Sequence, residues 1–156
     1  MNRKPNVHGG GSKTNFNGLS FEKRTNFLDS LKKHHNISIS NKDDYSEIYY
    51  LNKLNGFYTE KNNFYKFLFN KEKVNWKKLV SKKYLPDGVF INKLNSTIYI
   101  IEKKFQAGSG SVDEKLQTCD FKKKIYKKLI DNCKNKYTTE YYYLLNDWYL
   151  QKEYKD

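Results

Sequence analysis

The sequence predicts an α/β (α+β) fold, with a helical N-terminal half and a second half built from a strand hairpin, a long helix and a later strand. Three observations carry this. Apolar residues recur at helical spacing through residues 19–31 and 62–69. Residues 86–105 read as two apolar runs, the second rich in β-branched and aromatic residues, joined by a polar turn. Residues 111–131 then carry an apolar helical stripe ahead of another aromatic run at 138–145.

The elements follow in order. Residues 1–17 hold Gly9, Gly10 and Gly11 among Ser, Thr, Asn and Lys, the composition of a flexible basic arm. Residues 18–156 then form a single domain, the expected count at this length. A helix is predicted to start near Leu19, with Ser20 as N-cap and Phe21, Phe27, Leu28 and Leu31 on its apolar face. His34 and His35 fall at a helix end or loop. Residues 44–54 and 62–69 have helical character, with Asn55-Gly56 as the stop between them. A short helix is expected at 76–80.

Pro86 opens the first extended run, in which Val89 and Ile91 alternate with Gly88 and Phe90. Residues 92–96 make the turn and 97–105 the return strand. Gly108, Ser109 and Gly110 break the pattern, and Ser111 or Asp113 caps the long helix. Val112, Leu116, Cys119, Ile125, Tyr126, Leu129 and Ile130 form its apolar stripe. Lys115, Lys122, Lys123, Lys124, Lys127 and Lys128 form a basic face. Residues 138–145 read as a strand and 148–154 as a short terminal helix.

Composition narrows the classes. The 156 residues carry 30 Lys and Arg against 17 Asp and Glu, a formal charge of +13 that calls for an anionic partner. Arg3 and Arg24 are the arginines; every other cation is lysine. Lys, Asn, Ile, Tyr and Phe share A/T-rich codons, so the excess does not by itself establish a binding face. Aromatic residues make up 17% of the chain, so Tyr and Phe carry much of the core. No apolar run approaches the roughly 18–20 residues of a membrane span, and the N-terminus lacks the apolar stretch of a signal peptide. Cys119 and Cys133 show no ligand spacing and read as helix-packing thiols in a reducing, intracellular setting.

The hairpin holds the candidate chemistry. With the turn centred between Leu94 and Asn95, paired positions sum to 189, so Asp87 lies opposite Glu102 and Val89 opposite Ile100. Side chains alternate, which puts Glu102 and Lys104 on one face. That face runs Ile91, Val89, Ile98, Ile100 and ends in Asp87, Glu102 and Lys104. Phe90, Tyr99, Ile101, Lys103 and Phe105 form the other, and both are apolar enough for a strand pair covered on two sides. Two facing carboxylates repel unless a cation sits between them. A hard divalent cation such as Mg²⁺ takes carboxylate oxygens, and Lys104 would orient water or stabilise phosphate charge. The plainer alternative is a solvent-facing hairpin end with a Glu–Lys surface pair.

Pro86-Asp87, fourteen intervening residues, then Glu102-Lys103-Lys104 resembles the signature of the PD-(D/E)XK nuclease superfamily. Residues 18–22 (Gly-Leu-Ser-Phe-Glu) look like the opening helix of restriction-endonuclease-like proteins. Residues 102–106 with 110–117 resemble the run after the catalytic strand in type II restriction enzymes and phage relatives, and residues 141–148 a later core strand. The resemblance spans roughly residues 9–156. The chain is short for a restriction enzyme and has no obvious inserted recognition domain.

The resemblance implies a restriction-endonuclease-like core, with a central mixed β-sheet flanked by helices. It implies Asp87 and Glu102 as metal ligands, Lys104 as catalytic lysine, Glu22 as a further ligand or supporting carboxylate, and Gln106 positioning phosphate or water. A first-turn glutamate favoured by the helix dipole is the plain alternative for Glu22. Asp113, Glu114 and Gln117 read as capping residues. The expected activity is Mg²⁺-dependent hydrolysis of double-stranded DNA, site-specific in the type II manner, with Mn²⁺ able to substitute. Lys115, Lys122, Lys123 and Lys127 would track phosphates. Cutting both strands implies a homodimer. No membrane partner and no small-molecule cofactor are expected, and a bacterial or phage-encoded cytoplasmic protein fits. The alternative is a non-catalytic module that binds nucleic acid or a protein partner on a decayed nuclease fold.

Overall fold

A computed structural model describes residues 11–106 and 116–154, with side chains from residue 17 onward except at position 153. Six strands form one mixed sheet whose order follows the sequence: β1 (Ile37–Asn41), β2 (Ser46–Tyr50), β3 (Lys53–Thr59), β4 (Gly88–Asn92), β5 (Thr97–Lys104) and β6 (Thr138–Leu145). The first five make an antiparallel meander, and β6 runs parallel to β5. A parallel neighbour needs a crossover. Helix α4 (Cys119–Ile130) lies in that connection. The remaining helices are α1 (Gly11–Arg24), α2 (Phe27–Leu31) and α3 (Lys61–Phe64), which continues into a π-helical turn at Tyr65–Asn70.

The hairpin register matches the sequence expectation. Gly88 pairs with Ile101, Val89 with Ile100 and Ile91 with Ile98. Val89, Ile98 and Ile100 are fully buried, packed in one cluster with Phe64, Tyr65, Leu68 and Phe69 and with Tyr126, Leu129 and Ile130 of α4. Their β-branched shapes suit the pleated surface, and the aromatics fill the space beneath α4.

The second sheet face is only partly covered. Phe27 stacks on Tyr58, with ring centroids 4.9 Å apart, and Phe21 packs on Phe105 at 5.7 Å. Phe90, Tyr99 and Ile101 remain half-exposed, and Tyr142 is 52% exposed. Among the described residues, the two-sided cover expected for the hairpin is therefore complete on one side alone, because α1 and α2 pack over the Tyr58 and Phe105 region and not over the β6 side.

The N-terminal half departs most from expectation. Residues 44–54 are not helical; they form β2, a turn and part of β3. Tyr49, Leu51 and Leu54 imitate helical spacing, but Ser46 and Ile48 alternate inward. Leu51 and Asn52 both adopt positive φ (48° and 60°), the two-residue hairpin turn whose twist suits flanking strands. Gly56 is a strand residue rather than a helix stop. A Cβ there would collide with the Ile91 carbonyl oxygen and the Phe90 ring, so glycine permits β3 to approach β4 closely. Strand β1 has no counterpart in the sequence reading.

Other boundaries shift less. The first helix already includes Gly11, so Ser20 is interior; Asn26 caps α2 instead, its Oδ1 accepting the Asp29 N–H at 3.0 Å. The helix at 62–69 stands as α3 and its π turn. Short 3₁₀ turns occupy Trp76–Lys78, Asp147–Leu150 and Lys152–Tyr154. His34 and His35 lie exposed in the turn after α2. The helix caps expected at Ser111 or Asp113, together with Glu114 and Lys115, lie outside the described residues.

Candidate active site

The site forms where β4 begins and β5 ends. Pro86 is fully buried, and its carbonyl accepts the N–H of Lys61 at 2.9 Å, which ties the strand entry to the start of α3. Gly88 is required next to it: a Cβ would stand 2.6 Å from the Tyr58 hydroxyl. That hydroxyl donates to Glu60 at 2.8 Å. Burial, then the Glu60 charge, pushes the Tyr58 phenol far above its ordinary value, so it stays a donor.

Asp87 is held by the main chain across the hairpin. The Lys103 N–H donates to Asp87 Oδ2 at 2.7 Å. The carboxylate aims along β5 rather than into solvent, and its side chain is 21% exposed. Glu102 sits deeper, at 3%. Lys104 Nζ lies 3.2 Å from Glu102 Oε2 and 3.8 Å from Asp87 Oδ2, and also donates to the Lys103 carbonyl at 3.0 Å. Its ammonium stands 6.0 Å from the centre of the Tyr143 ring on β6. Asp87, Glu102 and Lys104 thus meet on one face.

Two residues of α4 complete this group. Lys122 Nζ contacts Glu102 Oε2 at 2.8 Å, and the Tyr126 hydroxyl donates to Oε1 at 3.4 Å. Burial and then the Glu102 charge push the Tyr126 phenol far up, which keeps its proton available to that oxygen. The sequence reading put Lys122 on the phosphate-tracking face and Tyr126 in the core. The structure turns Lys122 inward, to a side chain only 25% exposed. A signal was present: Cys119, Lys122, Tyr126 and Leu129 step by three, four and three, one helical face.

The remaining candidates divide. Glu22 meets the hairpin end from the opposite sheet face: its carbonyl accepts Lys103 Nζ at 3.3 Å, and Lys103 alternates away from Glu102 and Lys104. Its carboxylate forms no cluster with Asp87 and Glu102, because among the described residues no three His, Cys, Asp or Glu side chains converge as a metal group. Gln106 is buried at the end of β5, where its N–H donates to Asn146 Oδ1 and its carbonyl accepts from Asn146 Nδ2, both at 2.9 Å. This double bond pair fastens the end of β5 to the end of β6. Lys123 is exposed, and Lys127 is exposed while pairing with Asp131 at 2.8 Å. Lys128 donates to the Leu79 carbonyl at 2.8 Å. No helix among the described residues is long and apolar enough to cross a membrane.

Two hard oxygen donors flank an ammonium, and Asp87 and Lys104 keep part of their side chains exposed. Such a donor set suits Mg²⁺ or Mn²⁺ over softer metals. No protein-family model matches the chain, and no curated protein and no solved structure matches it either.

Proposed function

We propose that the protein is a Mg²⁺-dependent DNA endonuclease of PD-(D/E)XK type, built on a restriction-endonuclease-like core. One observation carries this reading: Asp87, immediately before β4, and Glu102, on the antiparallel β5, converge on the ammonium of Lys104 at 3.8 and 3.2 Å. Asp87 and Glu102 would hold the cation, and Mn²⁺ would substitute for Mg²⁺. When bound, the cation lowers the pKa of its water and neutralises phosphate charge. Lys104 orients the attacking water and offsets charge on the phosphate oxygens. Glu22 supports the hairpin end through its backbone carbonyl, which accepts Lys103 Nζ, and the exposed Lys123 and Lys127 track the DNA backbone. Cutting both strands assigns a homodimer, and the chemistry suits an intracellular bacterial or phage-encoded protein.

The test is conversion of supercoiled plasmid in Mg²⁺ against the same mixture in EDTA. Glu102→Ala and Lys104→Ala should each abolish cleavage while the circular-dichroism spectrum stays that of the folded chain. Undiminished cleavage by both variants overturns the assignment.

One observation favours the second reading, a DNA-binding or partner-binding module without catalysis. Glu102 already has Lys104, Lys122 and Tyr126 as partners, the pattern of a structural ion-pair network. DNA binding without Mg²⁺-dependent strand scission in the same assay would select it.

A further inference from the structure

Among the described residues, the charged side chains that meet at the site balance one another. Asp87 and Glu102 bring two negative charges, and Lys104 and Lys122 bring two positive ones within 2.8–3.8 Å. The shortest of these contacts belongs to Lys122, on Oε2 of Glu102, the oxygen that Lys104 also faces. A dication entering beside these groups would therefore compete with an ammonium already seated and would leave surplus positive charge. A phosphodiester supplies the missing anion.

Lys122 is built to change partners. Its side chain is 25% exposed, and a flexible four-carbon stem carries its three donors. Tyr126, one turn further along α4, donates to the other oxygen of Glu102 at 3.4 Å. The carboxylate stays tethered through Oε1 while Oε2 exchanges one cation for another. Lys104, by contrast, is anchored to the Lys103 carbonyl at 3.0 Å and between both acids.

We propose that Lys122 is a displaceable counter-ion: it occupies Glu102 until a divalent cation and a DNA phosphate arrive together, and then moves to the phosphate. This rests on the nuclease reading of the site and adds its regulation. Cation and DNA binding become thermodynamically coupled, each raising affinity for the other. Free cation alone then loads the site poorly, which restricts activation to DNA-bound protein.

The experiment is Mn²⁺ binding to the full chain, followed by electron paramagnetic resonance, with and without a phosphorothioate-substituted duplex that resists cleavage. The wild type should bind Mn²⁺ weakly alone and more tightly with duplex. Lys122→Met should bind Mn²⁺ alone about tenfold more tightly, the effect of removing one charge-assisted competitor, and should lose most of the enhancement by duplex. Lys122→Gln, which keeps a donor to Glu102 without the charge, gives the same readout if the methionine variant melts. Variant affinities equal to or below wild type overturn the counter-ion role and leave the nuclease reading standing wherever plasmid cleavage persists. Absence of Mn²⁺ binding in every sample, with no cleavage, overturns both.

Discussion

Gly88 and Asp87 show how little room the site has. The Tyr58 hydroxyl occupies the volume a Cβ would need at position 88, and that hydroxyl is fixed by Glu60. Gly88→Ala should therefore lose about 1–3 kcal/mol of stability, the usual range for overpacking a tight site, measured by urea denaturation. The cleavage proposed above should fall as well, since the neighbouring Asp87 carboxylate is aimed by a main-chain bond to Lys103. At this scale the hairpin partners were legible, because antiparallel pairing makes positions summing to 189 opposite one another. Helical spacing puts Lys122 on one face with Tyr126 and Leu129, but that both meet Glu102, twenty or more residues away, follows from no local spacing rule.

Between elements, the firmest polar tie lies away from the site, at Glu72. Its carboxylate accepts the N–H groups of Lys134 and Asn135 at 2.9 and 3.1 Å and the Asn135 side-chain amide at 2.6 Å, with the Tyr137 hydroxyl at 3.4 Å. The turn after Tyr65–Asn70 is thereby fastened to the α4–β6 connection. Burial acts to raise the Glu72 pKa, but the Asn135 and Lys134 bonds outweigh it and hold the group below its ordinary 4.5. A depressed carboxylate stabilises the fold fully above its unfolded value. That contribution fades as pH falls through the folded value. Glu72→Gln should cost about 1–3 kcal/mol at pH 7 and should flatten the loss of stability below pH 4.5, read from melts across pH 2–7 (an approximate range). The same packing governs Cys133. Burial and then the charges of Glu72 and Asp131 push its thiol up to about 12, so alkylation at neutral pH should wait for unfolding.

Over the whole molecule, the +13 charge becomes interpretable once a phosphodiester site is proposed for it. Lys123, Lys124, Lys127 and Lys128 lie exposed along α4, whose Lys122 reaches Glu102. Affinity for DNA should drop by about a thousandfold between roughly 50 and 200 mM salt, the signature of counter-ion release, measured by fluorescence anisotropy. The other face of the sheet carries an apolar groove of about 530 Å³ between Phe27, Phe90, Tyr99, Tyr142 and Leu144. It lies opposite the carboxylates, since strand residues alternate, and takes no part in the proposed chemistry.

The chain by itself determined the β4–β5 hairpin, its register and the meeting of Asp87, Glu102 and Lys104, because period-two alternation and a short turn are local properties. It also determined β6 and the apolar stripe of α4. Only the tertiary structure decided that residues 37–59 are strands, since the spacing of Tyr49, Leu51 and Leu54 suits a helix until the left-handed turn at Leu51 and Asn52 and the close approach at Gly56 are known. It alone decided that Lys122 faces Glu102 and that Glu22 reaches the hairpin end through its carbonyl rather than its carboxylate. Contacts between distant segments depend on how helices seat against a sheet, and that seating minimises buried, unpaired charge over the whole molecule rather than along any one stretch of sequence.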